Sequence, residues 1–214
     1  MIAEQALTLP GGADVALEAR LAVPAGASAG VVICHPHPLY GGDMDNPVVV
    51  RVQEACAAEG LATLRFNFRG VGGSSGTHGE GVGEQDDARA ALEALEQKAG
   101  TAALAIAGYS FGAWIAAVVG CRDARVRGLI LIAPPLGLYD FGCLEGKRVP
   151  TLAVAGTQDP YCPSADFQRF TARFPWIRPA VIDGADHFFF GRLYPLGEAA
   201  GAWARRLRAE GETR

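Results

Sequence analysis

Residues 102–119 read AALAIAGYSFGAWIAAVV, and this stretch decides the architecture. Ala102 to Ala107 is a small-apolar run of strand length. Phe111 to Val119 is apolar nearly all round, as a helix buried at the centre of a protein must be. Between them stands Gly108-Tyr109-Ser110-Phe111-Gly112. A G-x-S-x-G turn from strand to helix exposes its serine at the end of the sheet, above the positive end of the helix dipole. The pentapeptide alone is a weak signal, and its bland reading is a loop serine that caps the next helix. Placed between strand and helix it is strong. Ser110 is the candidate nucleophile.

The same alternation recurs on both sides. Val31 to Cys34 is a buried-strand run. Asn46-Pro47 is an N-cap followed by proline at the first helical position, and the helix carries Val48, Val52 and Ala55 before stopping at Gly60. Leu61 to Phe68 reads as a strand. Asp86-Asp87 places acid in the first turn of a helix whose Ala88, Leu92 and Leu95 share one face, with Gly100 at its end. Downstream, Val126 to Ala133 and Thr151 to Ala155 are strands and Phe167 to Phe174 is helical. Ala180 to Ile182 is a short strand, and Leu196 to Leu207 is a closing helix. Near-continuous apolar strands separated by helices predict an α/β fold, a mostly parallel sheet covered on both faces. Ala6 to Val23 contains Pro-Gly-Gly within alternating residues and predicts an antiparallel hairpin at the sheet edge.

The 214 residues suit one domain spanning 1–214. Half are hydrophobic and a fifth are charged, enough for a sizeable core and unlike a disordered chain. Net charge is −4, and the nineteen basic residues are dispersed, so nucleic acid is not an expected partner. No apolar run approaches the roughly 20 residues that span a bilayer. Met1 to Pro10 lacks the basic and apolar regions of a secretory signal. The five cysteines share no close pair with metal-ligand spacing and fit a reducing compartment. The expectation is a cytoplasmic protein without membrane association, a monomer or homodimer.

In parallel sheets, ligands bind at the carboxyl ends of the strands. The residues there include His35 to Gly42, Asn67 to Gly76, Ser110, Asp159 and His187. A serine hydroxyl needs a base, and the base needs an orienting group. His187 is the only histidine after Ser110, and it follows the last strand; its bland reading is a surface loop histidine. For the acid, Asp159 at the end of the Thr151 strand is preferred. Asp183 and Asp186 are rivals, although a carboxylate one position away along the chain rarely points at its neighbour's ring. A histidine base predicts activity that declines below roughly pH 6.5.

A tetrahedral intermediate also needs two N–H donors. The N–H of Phe111, just after the nucleophile, is one. The second should come from His35-Pro36-His37-Pro38-Leu39, where the prolines carry no N–H. That leaves His37 or Leu39, and His37 is preferred. His35 is expected to be a buried donor that pins this loop to the second glycine-rich segment. Reading His35 and His37 as a metal pair finds support only in Asp43 and Asp45, so neither metal nor cofactor is expected. Arg65, Asn67 and Arg69 read as ties from the strand end to neighbouring loops, with a polar substrate wall as the alternative. The acids from Glu84 to Asp87 read as helix-start chemistry.

Taken together, these segments carry a family likeness. The chain resembles the α/β-hydrolase superfamily over essentially its whole length. More narrowly, it looks like the small lidless bacterial hydrolases related to dienelactone hydrolases and serine aminopeptidases. The matching segments are His35-Pro36-His37-Pro38 with Gly41-Gly42, Arg65 to Gly72 with Ser74 and Gly76, Gly108 to Gly112, Ala133-Pro134-Pro135, and Asp186-His187-Phe188-Phe189. The resemblance implies a Ser-Asp-His triad at Ser110, Asp159 and His187. Dienelactone hydrolase uses a cysteine nucleophile where this chain has serine, so that substrate does not carry over. Larger relatives insert a cap after the sixth strand. Here the Pro135 to Thr151 interval is close to an ordinary loop, which predicts no cap and an open site.

The leading expectation is a serine hydrolase that cleaves a small carboxylic ester through an acyl-enzyme on Ser110. Peptide or amide cleavage, as in aminopeptidases, ranks second, because no pocket for a free amino group is legible. A hydrolase-fold binding module with little turnover ranks third.

Overall fold

The computed structural model describes residues 2–12, 14–101 and 103–212. An eight-stranded sheet runs through the molecule. Its strands are β1 (Gln5–Gly11), β2 (Val15–Ala22), β3 (Ala29–Cys34), β4 (Ala62–Phe66), β5 (Ala103–Tyr109), β6 (Val126–Ile132), β7 (Thr151–Gly156) and β8 (Ile177–Ile182). They lie in the order β1-β2-β4-β3-β5-β6-β7-β8. β1 and β2 form the antiparallel hairpin, β2 joins β4 antiparallel, and every other pairing is parallel. Five α-helices are described: α1 (Pro47–Ala58), α2 (Val82–Ala99), α3 (Phe111–Arg122), α4 (Ser164–Arg173) and α5 (Leu193–Glu212).

The central strands are buried on both faces, so their alternation shows only in which core each side chain joins. Val31 and Ile33 enter a core with Val49 and Val52 of α1 and Trp203 and Leu207 of α5. Val32 and Cys34 enter the opposite core, with Leu92 of α2 and Ile115 of α3. Leu104 and Ile106 divide from Ala105 and Ala107 in the same way. The two edges follow different chemistry. Pro10 and Pro179 sit in β1 and β8, the strands paired on one side only, where a missing N–H costs no ladder bond.

Element boundaries move at several positions. α2 starts at Val82, four residues before Asp86, because Gly81 takes the left-handed conformation (φ 89°) and Glu84 accepts the N–H groups of Gly79 and Gly81. Asp86 and Asp87 therefore stand in the second turn, not the first. β4 ends at Phe66, and Asn67 leaves the ladder to bond two neighbouring segments. β8 begins three residues before the expected Ala180, and α4 spans Ser164 to Arg173, stopping ahead of Pro175. Ala102, the first residue of the expected strand, lies outside the described residues. Between β6 and β7 only a 3-10 turn, Gly142–Gly146, interrupts the loop, so no cap domain stands over the sheet. No helix among the described residues is long and apolar enough to cross a membrane.

Candidate active site

Ser110 sits where β5 meets α3, at φ 56° and ψ −118°, a strained conformation for a residue with a side chain. The surroundings enforce it. A Cβ on Gly108 would stand 1.9 Å from the carbonyl oxygen of Gly112, and one on Gly112 would stand 2.4 Å from that of Cys34. Only glycine lets the strand, the helix and β3 approach so closely. Ser110 N–H donates to Ile132 O at 2.9 Å, which ties the turn to β6.

His187 and Asp159 converge on this serine from two loops that are stitched together. Thr157 N–H donates to Ile182 O, and Gln158 N–H donates to Ala185 O at 2.9 Å. His187 Nδ1 lies 2.8 Å from Asp159 Oδ2, and its Nε2 lies 3.0 Å from Ser110 Oγ. The other carboxylate oxygen of Asp159 accepts the backbone N–H groups of Tyr161 and Cys162. An ionised Asp159 is acceptor-only, so the proton sits on Nδ1 and Nε2 is free to receive one from the serine. Asp159 and His187 are both buried. The rivals for the acid position are occupied elsewhere: Asp183 accepts from Thr157 Oγ1, and Asp186 accepts the N–H groups of Phe188 and Phe190.

Of the two N–H candidates after β3, Leu39 is already committed, donating to His37 Nδ1 at 3.2 Å. Among the described residues, the N–H groups of His37 and Phe111 have no protein acceptor, and the two rings lie 4.8 Å apart. Burial, and secondarily the neighbouring His78, pushes the His37 imidazole below its ordinary pKa, so this side of the site holds a neutral ring. Behind it, the His78 imidazole lies 2.8 Å from the buried Glu84 carboxylate.

His35 is fully buried, and its cross-loop bond is accepted rather than donated. Phe68 N–H donates to His35 Nε2 at 3.0 Å, so Nδ1 carries the proton and donates to Pro36 O at 2.6 Å. The pinning to the second glycine-rich segment is as expected; the direction is reversed. Burial pushes this imidazole down to about 4. Arg65, Asn67 and Arg69 tie loops together, chiefly through carboxylates. Arg65 holds Glu4 and Asp45 as well as Met44 O, Asn67 bridges Met44 and Glu18, and Arg69 forks onto Asp87. No group of three or more metal-ligating side chains occurs among the described residues.

Sequence reasoning missed two features. The Tyr109 hydroxyl donates to the His187 carbonyl at 2.9 Å. In addition, Leu39, Tyr40, Leu138, Tyr161, Phe188 and Phe190 stand exposed on the loops after β3, β6, β7 and β8. They form an apolar rim, with the Tyr161 ring 4.8 Å from that of His187. The signal was present as large apolar residues in loops, but exposure cannot be read from a single chain. Next to the rim, Leu136, Tyr139, Phe141 and Phe170 line a hollow of about 370 Å³. Its Tyr139 wall lies 5.9 Å from Phe111.

A serine on a glycine-enforced strand-to-helix turn, at the carboxyl edge of this sheet, defines an α/β-hydrolase. The sequence pattern of the serine aminopeptidase S33 family matches residues 28–140, and the chain belongs to that family. It is a hydrolase. It is 38% identical to an alpha-beta serine hydrolase homologue from Coxiella burnetii. That match covers 94% of this chain and 98% of the other with a TM-score of 0.87. A serine hydrolase without a lid from Xanthomonas campestris is 31% identical, covering 95% and 94% with a TM-score of 0.87. An uncharacterized protein of Rickettsia prowazekii is 37% identical over 189 residues, 83% of this chain and 79% of its own.

Proposed function

We propose that the protein hydrolyses a small carboxylic ester through an acyl-enzyme on Ser110. The observation that carries this reading is the hydrogen-bonded series Ser110 Oγ, His187, Asp159, with contacts of 3.0 and 2.8 Å. In the proposed reaction His187 Nε2 takes the Ser110 proton as Oγ attacks the ester carbonyl. Asp159 holds the tautomer and stabilises the imidazolium. The developing oxyanion is received by the N–H groups of Phe111 and His37, the former at the positive end of α3. His187 then protonates the leaving alcohol, and water, deprotonated by the same ring, releases the acid. Without a cap, nothing encloses a long chain, so short acyl groups are the expected substrates.

The family description favours a second reading, cleavage of an aminoacyl amide or peptide. Binding a free ammonium would call for an uncommitted carboxylate near Ser110. In the hollow beside Phe111, Asp166 is paired with Arg169 and Asp140 accepts Gly142 N–H. The ester reading therefore ranks first.

A nitrophenyl ester series from acetyl to long acyl, run beside aminoacyl amides, tests both. The expected result is turnover highest on short esters, fluorophosphonate labelling at Ser110, and about a 10⁴-fold or greater loss in Ser110→Ala. Preference for long chains, or faster amide cleavage, overturns the substrate assignment. Absence of labelling points instead to a binding module.

A further inference from the structure

The turn that delivers His187 has a feature that proton transfer does not require. Burial alternates along it: His187 and Phe189 are buried, while Phe188 and Phe190 stand exposed. Phe189 holds a left-handed backbone (φ 56°), a costly conformation for a bulky side chain. Its ring is fully buried, 6.4 Å from that of Tyr109, so the core beneath holds the strain in place. Asp186 fixes the two neighbours, its Oδ1 accepting the N–H of Phe188 at 3.0 Å and that of Phe190 at 3.2 Å. The two exposed rings lie 5.9 Å apart. A strained residue and a dedicated carboxylate thus hold two large apolar side chains in water, where they contribute little to stability.

A third ring joins them from the loop after β7. Tyr161 is exposed, and its N–H donates to Asp159 Oδ1 at 2.8 Å, so the candidate acid also positions this side chain. The His187 ring meets Tyr161 at 4.8 Å and Phe188 at 5.7 Å, both edge-to-face. Its other aromatic neighbour, Tyr109, is buried. The solvent-facing rings against the imidazole are therefore Tyr161 and Phe188. The chemistry of ester cleavage says which part of a substrate lies there. Nε2 must reach the leaving oxygen to protonate it, so the alcohol's substituent has to pass beside this ring.

Resting on the ester reading above, we infer that Tyr161, Phe188 and Phe190 form the subsite for the alcohol portion of the substrate, and that this portion is aromatic, a benzyl-type alcohol esterified to a short acyl group. Exposed rings offer edge and face contacts to a planar group without having to close over it, which suits a site with no cap. In acylation the bond from Ser110 Oγ to the carbonyl carbon forms and the bond from that carbon to the alcohol oxygen breaks. The alcohol oxygen takes the proton from His187 Nε2, and the neutral alcohol departs past the rings. In deacylation water attacks from the same side. An alcohol that binds the rings therefore competes with water for the acyl-enzyme and regenerates an ester, giving its own proton to His187.

The full-length protein should hydrolyse benzyl acetate with kcat/KM about tenfold above that for ethyl acetate, whose alcohol is of similar basicity. A second measurement needs no variant: acetyl-enzyme formed from nitrophenyl acetate, given equal concentrations of benzyl alcohol and ethanol, should yield about tenfold more benzyl than ethyl acetate. Phe188→Ala and Tyr161→Ala, each shown folded by its melting curve, should each lower both ratios about threefold. Asp186→Ala should lower them too, and Asp186→Asn, which keeps the accepting oxygen, should restore them. Ratios near one in the unaltered protein overturn the subsite and leave the ester reading standing, whereas no turnover of either acetate and no fluorophosphonate labelling overturns both. Ratios that the ring variants leave unchanged also overturn it, and if those variants turn a dimer into a monomer in light scattering, the rings are instead a contact between copies of this chain.

Discussion

Tyr109, the residue before the candidate nucleophile, donates its hydroxyl proton to the backbone carbonyl of His187. One side chain of the strand-to-helix turn thus fixes the height of the loop that delivers the imidazole to Ser110. The phenol is buried, which pushes its pKa well above the ordinary value and keeps the proton on the oxygen as a donor.

Tyr109→Phe removes that donor and leaves the carbonyl unpaired. The expected outcome is a roughly tenfold fall in kcat on a short nitrophenyl ester, with KM little changed and about 1 kcal/mol less stability. A kcat equal to wild type would show that the loop keeps its position without the bond.

Gly112 has no room for a methyl group, because the new Cβ would meet the carbonyls of Cys34 and His35 at 2.4 and 2.5 Å. Those atoms are backbone at the end of β3 and just past it, and cannot rotate away. Gly112→Ala should cost about 3 kcal/mol or more, seen as a lower urea midpoint. A cost under 1 kcal/mol would refute so close an approach.

Asp87 has a fully buried carboxylate on α2, held by the Arg69 fork. Burial raises the pKa of this acid, and Arg69 opposes the rise. Arg69→Met should destabilise by about 3 kcal/mol, because a buried charge is left unpaired. Adding Asp87→Asn removes that charge while retaining an acceptor for Arg69 N–H, so most of the loss should be regained in chemical denaturation. No recovery would mean that Arg69 acts through packing rather than charge.

His35 is neutral in the folded protein and resists protonation down to about pH 4, against an ordinary value of 6.5. Below pH 6.5 the unfolded chain takes up a proton that the folded chain refuses. Stability is therefore lost as pH falls from 6.5 toward 4, at up to about 1.4 kcal/mol per unit. His35→Gln keeps an acceptor for Phe68 N–H and removes the titration. Its urea midpoint should vary less with pH across that window, and an unchanged slope would place the effect elsewhere.

Much of this architecture was legible in one dimension. The 102–119 run carries its own instructions: small apolar residues for a central strand, two glycines for a turn that excludes any Cβ, and an all-apolar helix. Parallel strands buried on both faces write themselves as continuous apolar runs, which is why their order along the chain could be read. Boundaries were harder where a side chain from elsewhere ended the element. α2 begins early because Glu84 caps it, and β4 ends early because Asn67 turns to Met44 and Glu18.

What the sequence by itself determined is the strand, turn and helix around Ser110, since their physics is local: propensity, glycine sterics and burial pattern. Only the tertiary structure showed which of Asp159, Asp183 and Asp186 meets the His187 ring, because that depends on where the loops after β7 and β8 carry each carboxylate once folded. Only the fold put Tyr109 under His187 and Leu39 N–H onto His37 Nδ1. Both are set by where distant or turning backbone comes to rest, and no periodicity along the chain records them.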